Sequence, residues 1–170
     1  MRHWTKTLEV ITNFALLVVC LLVVGLYVRS RLGNSQPQVA SHKPPIGVTL
    51  NVSGVDWSNS QHTLVMALST NCHFCTDSAP FYRKLTEIAK QQHARVIAIL
   101  PQPVAESTLY VAQRGFSVDD VRQLPLNDIH VEGTPTLLLV DSTGRVTTGW
   151  VGKLTSKLET EVISSISAKR

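Results

Sequence analysis

Three short, continuous apolar runs set the strongest limit on how this chain can fold. They occupy residues His62–Leu68, Val96–Leu100 and Thr136–Val140. Apolar runs of roughly four to eight residues, bounded by polar or turn-forming residues, are typical of strands buried on both faces of a sheet. The sequence therefore predicts three buried strands at the centre of one domain.

Helical patterns separate and follow these runs. From Cys72 to about Gln91, apolar residues recur at spacings of three and four, which predicts a helix that Pro80 should kink. A second helix is predicted over Val104–Gln113, ended by Gly115, and a last amphipathic helix over Leu154–Ser167. Helices therefore fill the intervals between the central strands.

The remaining strand signals flank the central ones. Val48–Leu50 is a short strand candidate, and Asp141–Gly144 is a turn signal in which Gly144 suits a positive φ. Arg145–Val151 would then return as the hairpin partner of the third run. A parallel pair joined by a helix, followed by an antiparallel hairpin, predicts an α/β fold: a mixed central sheet with helices on both faces.

The segment Val10–Val28 is predominantly apolar and holds no charged residue. At about 1.5 Å per residue its length is about 28 Å, close to the hydrocarbon thickness of a bilayer. Arg29 and Arg31 follow directly, and no small-x-small cleavage site is adjacent. We therefore predict a retained transmembrane anchor rather than a cleaved signal peptide.

The anchor divides the chain into segments of different composition. A linker rich in Ser, Gln, Pro, Gly and Asn precedes the globular pattern. Positive charge flanks both ends of the anchor, so charge alone does not orient it. The predicted division is a tail at 1–9, the anchor at 10–28, the linker at 29–45 and the domain at 46–170.

Charge excludes one class of partner. The net charge is +4, but the basic residues are scattered and form no basic helix face with interleaved aromatic residues. Solvated surface accounts for such a distribution, so we predict no binding to nucleic acid.

Cysteine usage points to redox chemistry. Of the three cysteines, Cys20 lies in the apolar run and acts there as a small hydrophobic residue. Cys72 and Cys75 stand three apart at the start of a predicted helix, where they can close and reopen a small disulfide. A zinc site uses the same spacing, but it needs a second ligand pair that the chain lacks. We predict neither a metal nor a cofactor.

The two thiols are not equivalent. Cys72 at the helix N-terminus would face unpaired backbone N–H groups and the positive end of the helix dipole, which favour a thiolate. We therefore assign Cys72 as the nucleophile and Cys75 as the resolving thiol. His73 either supports the thiolate or is solvated, and Phe74 is either an exposed lip that contacts substrate or packs on a neighbouring loop.

Together these motifs resemble the thioredoxin-like superfamily over about residues 46–168. The matches are Cys72–Cys75 followed by Pro80, Gly133–Pro135 leading into the third apolar run, and the glycine-containing hairpin at Gly144–Gly152. With the anchor and linker, the chain resembles the membrane-tethered thiol–disulfide oxidoreductases of bacteria, such as those of cytochrome c maturation and methylamine utilisation.

The resemblance implies a role and a place for the domain. Pro135 would be cis, would face the disulfide and would keep metal away from the sulfurs, while the backbone of Thr134 would pair with the substrate chain. The domain would lie on the periplasmic side of the cytoplasmic membrane and exchange disulfides with exported proteins, as a reductant. A membrane or periplasmic thiol protein would supply its electrons.

Two departures separate the chain from thioredoxin proper. Thioredoxin has Trp before its first cysteine and Gly-Pro between the two, where this chain has Asn71 and His73-Phe74. Thioredoxin also has a buried Asp six residues before the first cysteine, where this chain has Met66. Glu132 is either a proton shuttle that replaces this acid or a solvated loop charge.

Two other functions remain open from the sequence. Copper chaperones on the same fold use two cysteines and a distant histidine, for which His73 or His130 is a candidate, although their cysteines usually stand one residue further apart. A non-catalytic interaction domain with a structural disulfide is the other.

Overall fold

The computed structural model describes residues 16–23 and 43–168, which belong to two compact units, Met1–Gln38 and Val39–Arg170. In the first unit, residues 16–23 are helical and their side chains are exposed. No helix within the described residues has both the length and the apolar character that a membrane span needs. The remainder of the predicted anchor at 10–28, and the linker up to residue 42, lie outside the described residues.

The second unit is built on a five-stranded mixed sheet with the strand order β3-β2-β1-β4-β5. Strands β1, β2 and β3 are parallel, whereas β4 is antiparallel to both β1 and β5. The three apolar runs form β1, β2 and β4, which confirms the predicted mixed sheet. The strands are β1 His62–Ala67, β2 Arg95–Leu100, β3 Asp120–Gln123, β4 Thr136–Asp141 and β5 Val146–Val151.

Four α-helices pack on a single face of the sheet. They are α1 His73–Asp77, α2 Ala79–Gln91, α3 Val104–Arg114 and α4 Ser156–Ser167. Leu64 and Met66 of β1 point into this helical layer, whereas Val65 and Ala67 point to the opposite face, as strand geometry requires. The helices therefore cover the layer that contains Cys75.

Within residues 43–168, only one face of the sheet carries α-helices, so the prediction of helices on both faces is right for that face alone. The opposite face is covered by loop residues and two short 3-10 helices, Trp57–Asn59 and Leu126–Ile129. The reason is the strand order: β1, β2 and β3 advance in one direction across the sheet, and right-handed crossovers then place α2 and α3 on the same side.

The single kinked helix predicted from Cys72 is corrected to two helices. Ser78 separates the two helices, although its amide still donates to Phe74 O at 3.1 Å and its carbonyl oxygen accepts the Tyr82 amide at 3.0 Å; Pro80 lies in the first turn of α2. Pro80 has no N–H to donate to the carbonyl four residues earlier, so the predicted kink takes the form of this interruption between α1 and α2. The Val48–Leu50 strand is reduced to an isolated bridge between Thr49 and Arg145.

The β4–β5 turn depends on one carboxylate. Asp141 Oδ1 accepts hydrogen bonds from Thr143 N at 2.9 Å, Thr143 Oγ1 at 2.6 Å and Arg145 N at 3.1 Å. Gly144 has a φ of 83°, as predicted, and the indole of Trp57 packs where a Cβ would stand. The donors from Thr143 and Arg145 hold the pKa of Asp141 below its ordinary value.

We expect Asp141→Ala to lower the free energy of unfolding by about 1 kcal/mol, after discounting these charged hydrogen bonds for solvent exposure. Because the folded-state pKa is lowered, this stabilisation is present above the unfolded value of about 3.9 and is lost as pH falls through the folded value. Urea denaturation across a pH series measures it. Asp128→Ala, at an exposed carboxylate, is the control; equal losses in both variants at neutral pH would contradict the assignment.

Candidate active site

The two cysteines lie where β1 gives way to α1. The Leu68 amide donates to Ile99 O at 3.0 Å, and the chain then turns so that the Cys72 amide donates to Ser69 O at 3.1 Å. Cys72 becomes the N-cap residue of α1, with its Sγ accepting a hydrogen bond from the Cys75 amide at 3.1 Å. Both cysteines are free thiols in the structure. An N–H donor at a helix N-terminus stabilises negative charge on the sulfur that it contacts.

The loop before β4 faces Cys72. The Thr134–Pro135 peptide bond is cis, and Cys72 Sγ lies 3.4 Å from the Thr134 carbonyl oxygen. This loop is held by a hydrogen bond from Gly152 N to Pro135 O at 2.7 Å, and Thr136 Oγ1 donates to Gly133 O at 2.7 Å. The structure thus brings Cys72, Thr134 and Pro135 together from segments that are distant in sequence.

Cys72 and Cys75 differ sharply in exposure. Cys72 is partly exposed, whereas the side chain of Cys75 is completely buried in the helical layer. Burial raises the pKa of the Cys75 thiol well above its ordinary value, and the side-chain hydrogen bond between the two thiols also raises it. One thiol is therefore accessible at a helix N-terminus, and the other is held in its protonated form one turn further along.

Met66 occupies the place where the resemblance would put a buried acid. Its side chain is fully buried and belongs to the same apolar cluster as Cys75. Glu132 lies at the surface in the segment that leads to the Thr134–Pro135 bond. The layer around Cys75 is therefore apolar at this strand position.

The residues between the cysteines face outwards. The His73 side chain is 80% exposed, and its Nε2 lies 3.5 Å from Asp77 Oδ2. The same Asp77 oxygen accepts a hydrogen bond from Lys153 Nζ at 2.9 Å, and this bond lowers the pKa of Asp77. Phe74 is 43% exposed, so it forms an apolar lip rather than packing fully on a loop.

Asp77 and Lys153 lie beside the site and were not predicted from the sequence. Asp77 follows His73 by one helical turn, which is a signal that the sequence contains. Lys153 comes from the segment after β5, and nothing in its sequence context points to α1.

Comparison with known proteins yields structural matches alone. No family model matches the chain, and no curated protein matches its sequence. Three of the matching solved structures cover about three quarters of the chain.

A thiol-disulfide isomerase from Corynebacterium glutamicum is 15% identical, with 75% of this chain and 96% of that chain covered and a TM-score of 0.54. A thiol:disulfide interchange protein from a Bacteroides species is 15% identical, with 74% and 88% covered and a TM-score of 0.54. Peroxidoxin BcpB from Mycobacterium tuberculosis is 14% identical, with 75% and 99% covered and a TM-score of 0.58.

The chain has a thioredoxin-like fold. This confirms the resemblance at the level of architecture. At such identities the likeness carries the fold and not the activity, which depends on the residues of the site.

The candidate ligands of a copper site are not gathered in this thioredoxin-like domain. His130 is an exposed residue that ends the 3-10 helix Leu126–Ile129, and His73 is directed to Asp77. Within residues 16–23 and 43–168, no group of three or more His, Cys, Asp or Glu side chains is arranged to hold a metal ion.

Proposed function

We propose that this chain is a membrane-anchored thiol–disulfide oxidoreductase that exchanges disulfides with exported proteins through Cys72 and Cys75. The observation that carries the proposal is the pairing of an accessible sulfur at a helix N-cap with a buried thiol one turn away, beside the Thr134 carbonyl. Thiol–disulfide exchange needs these two different thiols: one to attack, and one to release the substrate.

In the reducing direction, Cys72 as thiolate attacks one sulfur of a substrate disulfide. A Cys72–substrate disulfide forms, and the second substrate sulfur leaves as a thiolate that takes up a proton. Cys75 then loses its proton and attacks Cys72 Sγ, so that the first substrate sulfur also leaves as a thiol. Two electrons and two protons have passed to the substrate, and Cys72 and Cys75 are joined in a disulfide.

The surface around Cys72 suits an extended polypeptide substrate. The Thr134 segment lies against the reactive sulfur and has backbone groups that can pair with a substrate chain, and Phe74 adds an apolar contact beside it. We propose that substrate proteins present their disulfide in an extended segment along the Thr134–Pro135 loop.

The proposed place of the domain is the periplasmic side of the cytoplasmic membrane, with residues 10–28 as a single-pass anchor and 29–45 as a linker. The proposed direction is substrate reduction, with electrons supplied by a membrane or periplasmic thiol protein. Fusions of the full chain to reporters that are active on only one side of the membrane test the orientation. A cytoplasmic C-terminal reporter signal would contradict it.

Redox titration of the full-length chain in detergent micelles tests the proposed chemistry. The Cys20→Ser variant is the starting point, because it leaves Cys72 and Cys75 as the only thiols. We expect a reversible two-electron couple in glutathione buffers and catalysis of insulin disulfide reduction. Tight copper(I) binding without exchange activity would instead establish the copper-binding alternative, and a disulfide that glutathione never opens would establish a structural role.

A further inference from the structure

The turn 69–71 determines where α1 begins. Its first residue, Ser69, accepts the Cys72 amide on its backbone oxygen at 3.1 Å and the Asn71 amide on its Oγ at 3.4 Å. Any displacement of Ser69 therefore moves the N-cap cysteine and the start of its helix together.

A single side-chain amide clamps this turn from another part of the chain. Gln102, in the loop after β2, donates from Nε2 to Ser69 Oγ at 3.0 Å and accepts the Thr70 amide on Oε1 at 3.3 Å. A primary amide can do both because it carries a donor and an acceptor in one plane. The sequence separations are 33 and 32 residues, so this is a tertiary clamp rather than a local turn contact.

Gln102 is itself held in place. Its backbone carbonyl oxygen accepts a hydrogen bond at 3.2 Å from Ser107 Oγ, and Ser107 is completely buried. Glu106, in the first turn of α3, accepts a hydrogen bond from Thr70 Oγ1 at 2.7 Å. The 69–71 segment is therefore held at a second point. The network thus runs from the start of α3 to the residue before Asn71.

The turn also acts on the buried thiol. The backbone N–H of Ser69 lowers the pKa of Cys75, against the larger effect of burial. Cys75 has to become a thiolate to resolve the mixed disulfide, and the neighbouring strand position holds Met66 rather than a carboxylate. Geometry links the turn to both cysteines as well: the Cys72 amide donates to Ser69 O at 3.1 Å, and the Cys75 amide donates to Cys72 Sγ at 3.1 Å, so a displaced Ser69 disturbs the placement of both.

We propose that Gln102 is a positioning residue of this active site, which fixes the Ser69–Asn71 turn and thereby speeds the attack of Cys75 on the mixed disulfide. This inference rests on the proposed oxidoreductase function. Gln102 does not touch the reacting sulfurs; it acts through Ser69.

A symmetrical thionitrobenzoate disulfide separates the two chemical steps. In the reduced full-length Cys20→Ser chain, attack by Cys72 releases one coloured thiolate, and attack by Cys75 then releases a second. Gln102→Ala removes both side-chain hydrogen bonds to the turn, and we expect it to slow the second release by about tenfold while changing the first release less. The pH at which the second release reaches half its maximum should rise.

Two further variants make the test specific. Gln113→Ala removes an exposed glutamine from α3 and is the matched control, with both releases expected within twofold of the parent. Ser69→Ala removes the partner of Gln102 Nε2, so the double variant with Gln102→Ala should be slowed by less than the product of the two single effects.

The outcomes distinguish the inference from the function on which it rests. A parent chain that gives no second release overturns the proposed function. A normal parent together with an unaffected Gln102→Ala variant overturns the inference alone. Equal slowing of both releases, with no movement of the pH profile and a lower melting temperature, also overturns it, because Gln102 would then act on stability only.

Discussion

Replacing Cys72 with serine should reduce the rate of thiol–disulfide exchange by more than about a thousandfold. A serine hydroxyl stays protonated at neutral pH and forms no disulfide, so the first chemical step is lost. Buried Cys75 cannot take over, because its side chain is completely enclosed and burial raises its pKa. Insulin disulfide reduction measures the loss directly.

Cys75→Ser should give the complementary result. Cys72 still attacks, but nothing resolves the product, so the variant should accumulate a stable mixed disulfide that mass spectrometry identifies. Cys20→Ser is the control and should retain full activity. If Cys72→Ser kept its activity and Cys75→Ser did not, the two roles would have to be exchanged.

The sequence predicted those parts of the fold that a short stretch of neighbouring residues encodes by itself. Strands β1, β2 and β4 are buried on both faces, and each therefore had to be a continuous apolar run. Strand β3 was missed because it lies at the sheet edge, where Asp120 and Arg122 are only partly buried and pair with each other at 2.7 Å. Its residues lack any apolar run.

The site residues divide in the same way, into those marked by a local motif and those placed by the tertiary structure. Cys72, Cys75 and Pro135 stand in short motifs whose spacing is itself the signal, and the structure brings them together. Gln102 and Lys153 reach the site across 33 and 76 residues of sequence, through single side-chain contacts. No periodicity or spacing encodes such contacts, because they depend on how the finished elements are arranged.

Met66 provides the second large effect, this time on stability. Its side chain is fully buried, and its strand neighbours in register are Ala98 and Leu137. We expect Met66→Asp to lower the free energy of unfolding by about 3–5 kcal/mol at neutral pH, because a carboxylate would be enclosed in an apolar layer without a compensating charge. Urea denaturation followed by tryptophan fluorescence measures this.

The pH dependence identifies the cause. Burial raises the folded-state pKa of an introduced carboxyl above its unfolded value of about 3.9, so Met66→Asp should be least destabilised below that value and should lose stability as pH rises through the folded pKa. Met66→Leu, which keeps the volume and the apolar character, should stay within about 1.5 kcal/mol of the parent at every pH. An aspartate variant that was as stable as the leucine variant, and that resolved mixed disulfides faster, would show that the layer around Cys75 can accept a buried acid. The expected loss would instead show that the apolar layer around Cys75 does not accept a carboxylate at this strand position.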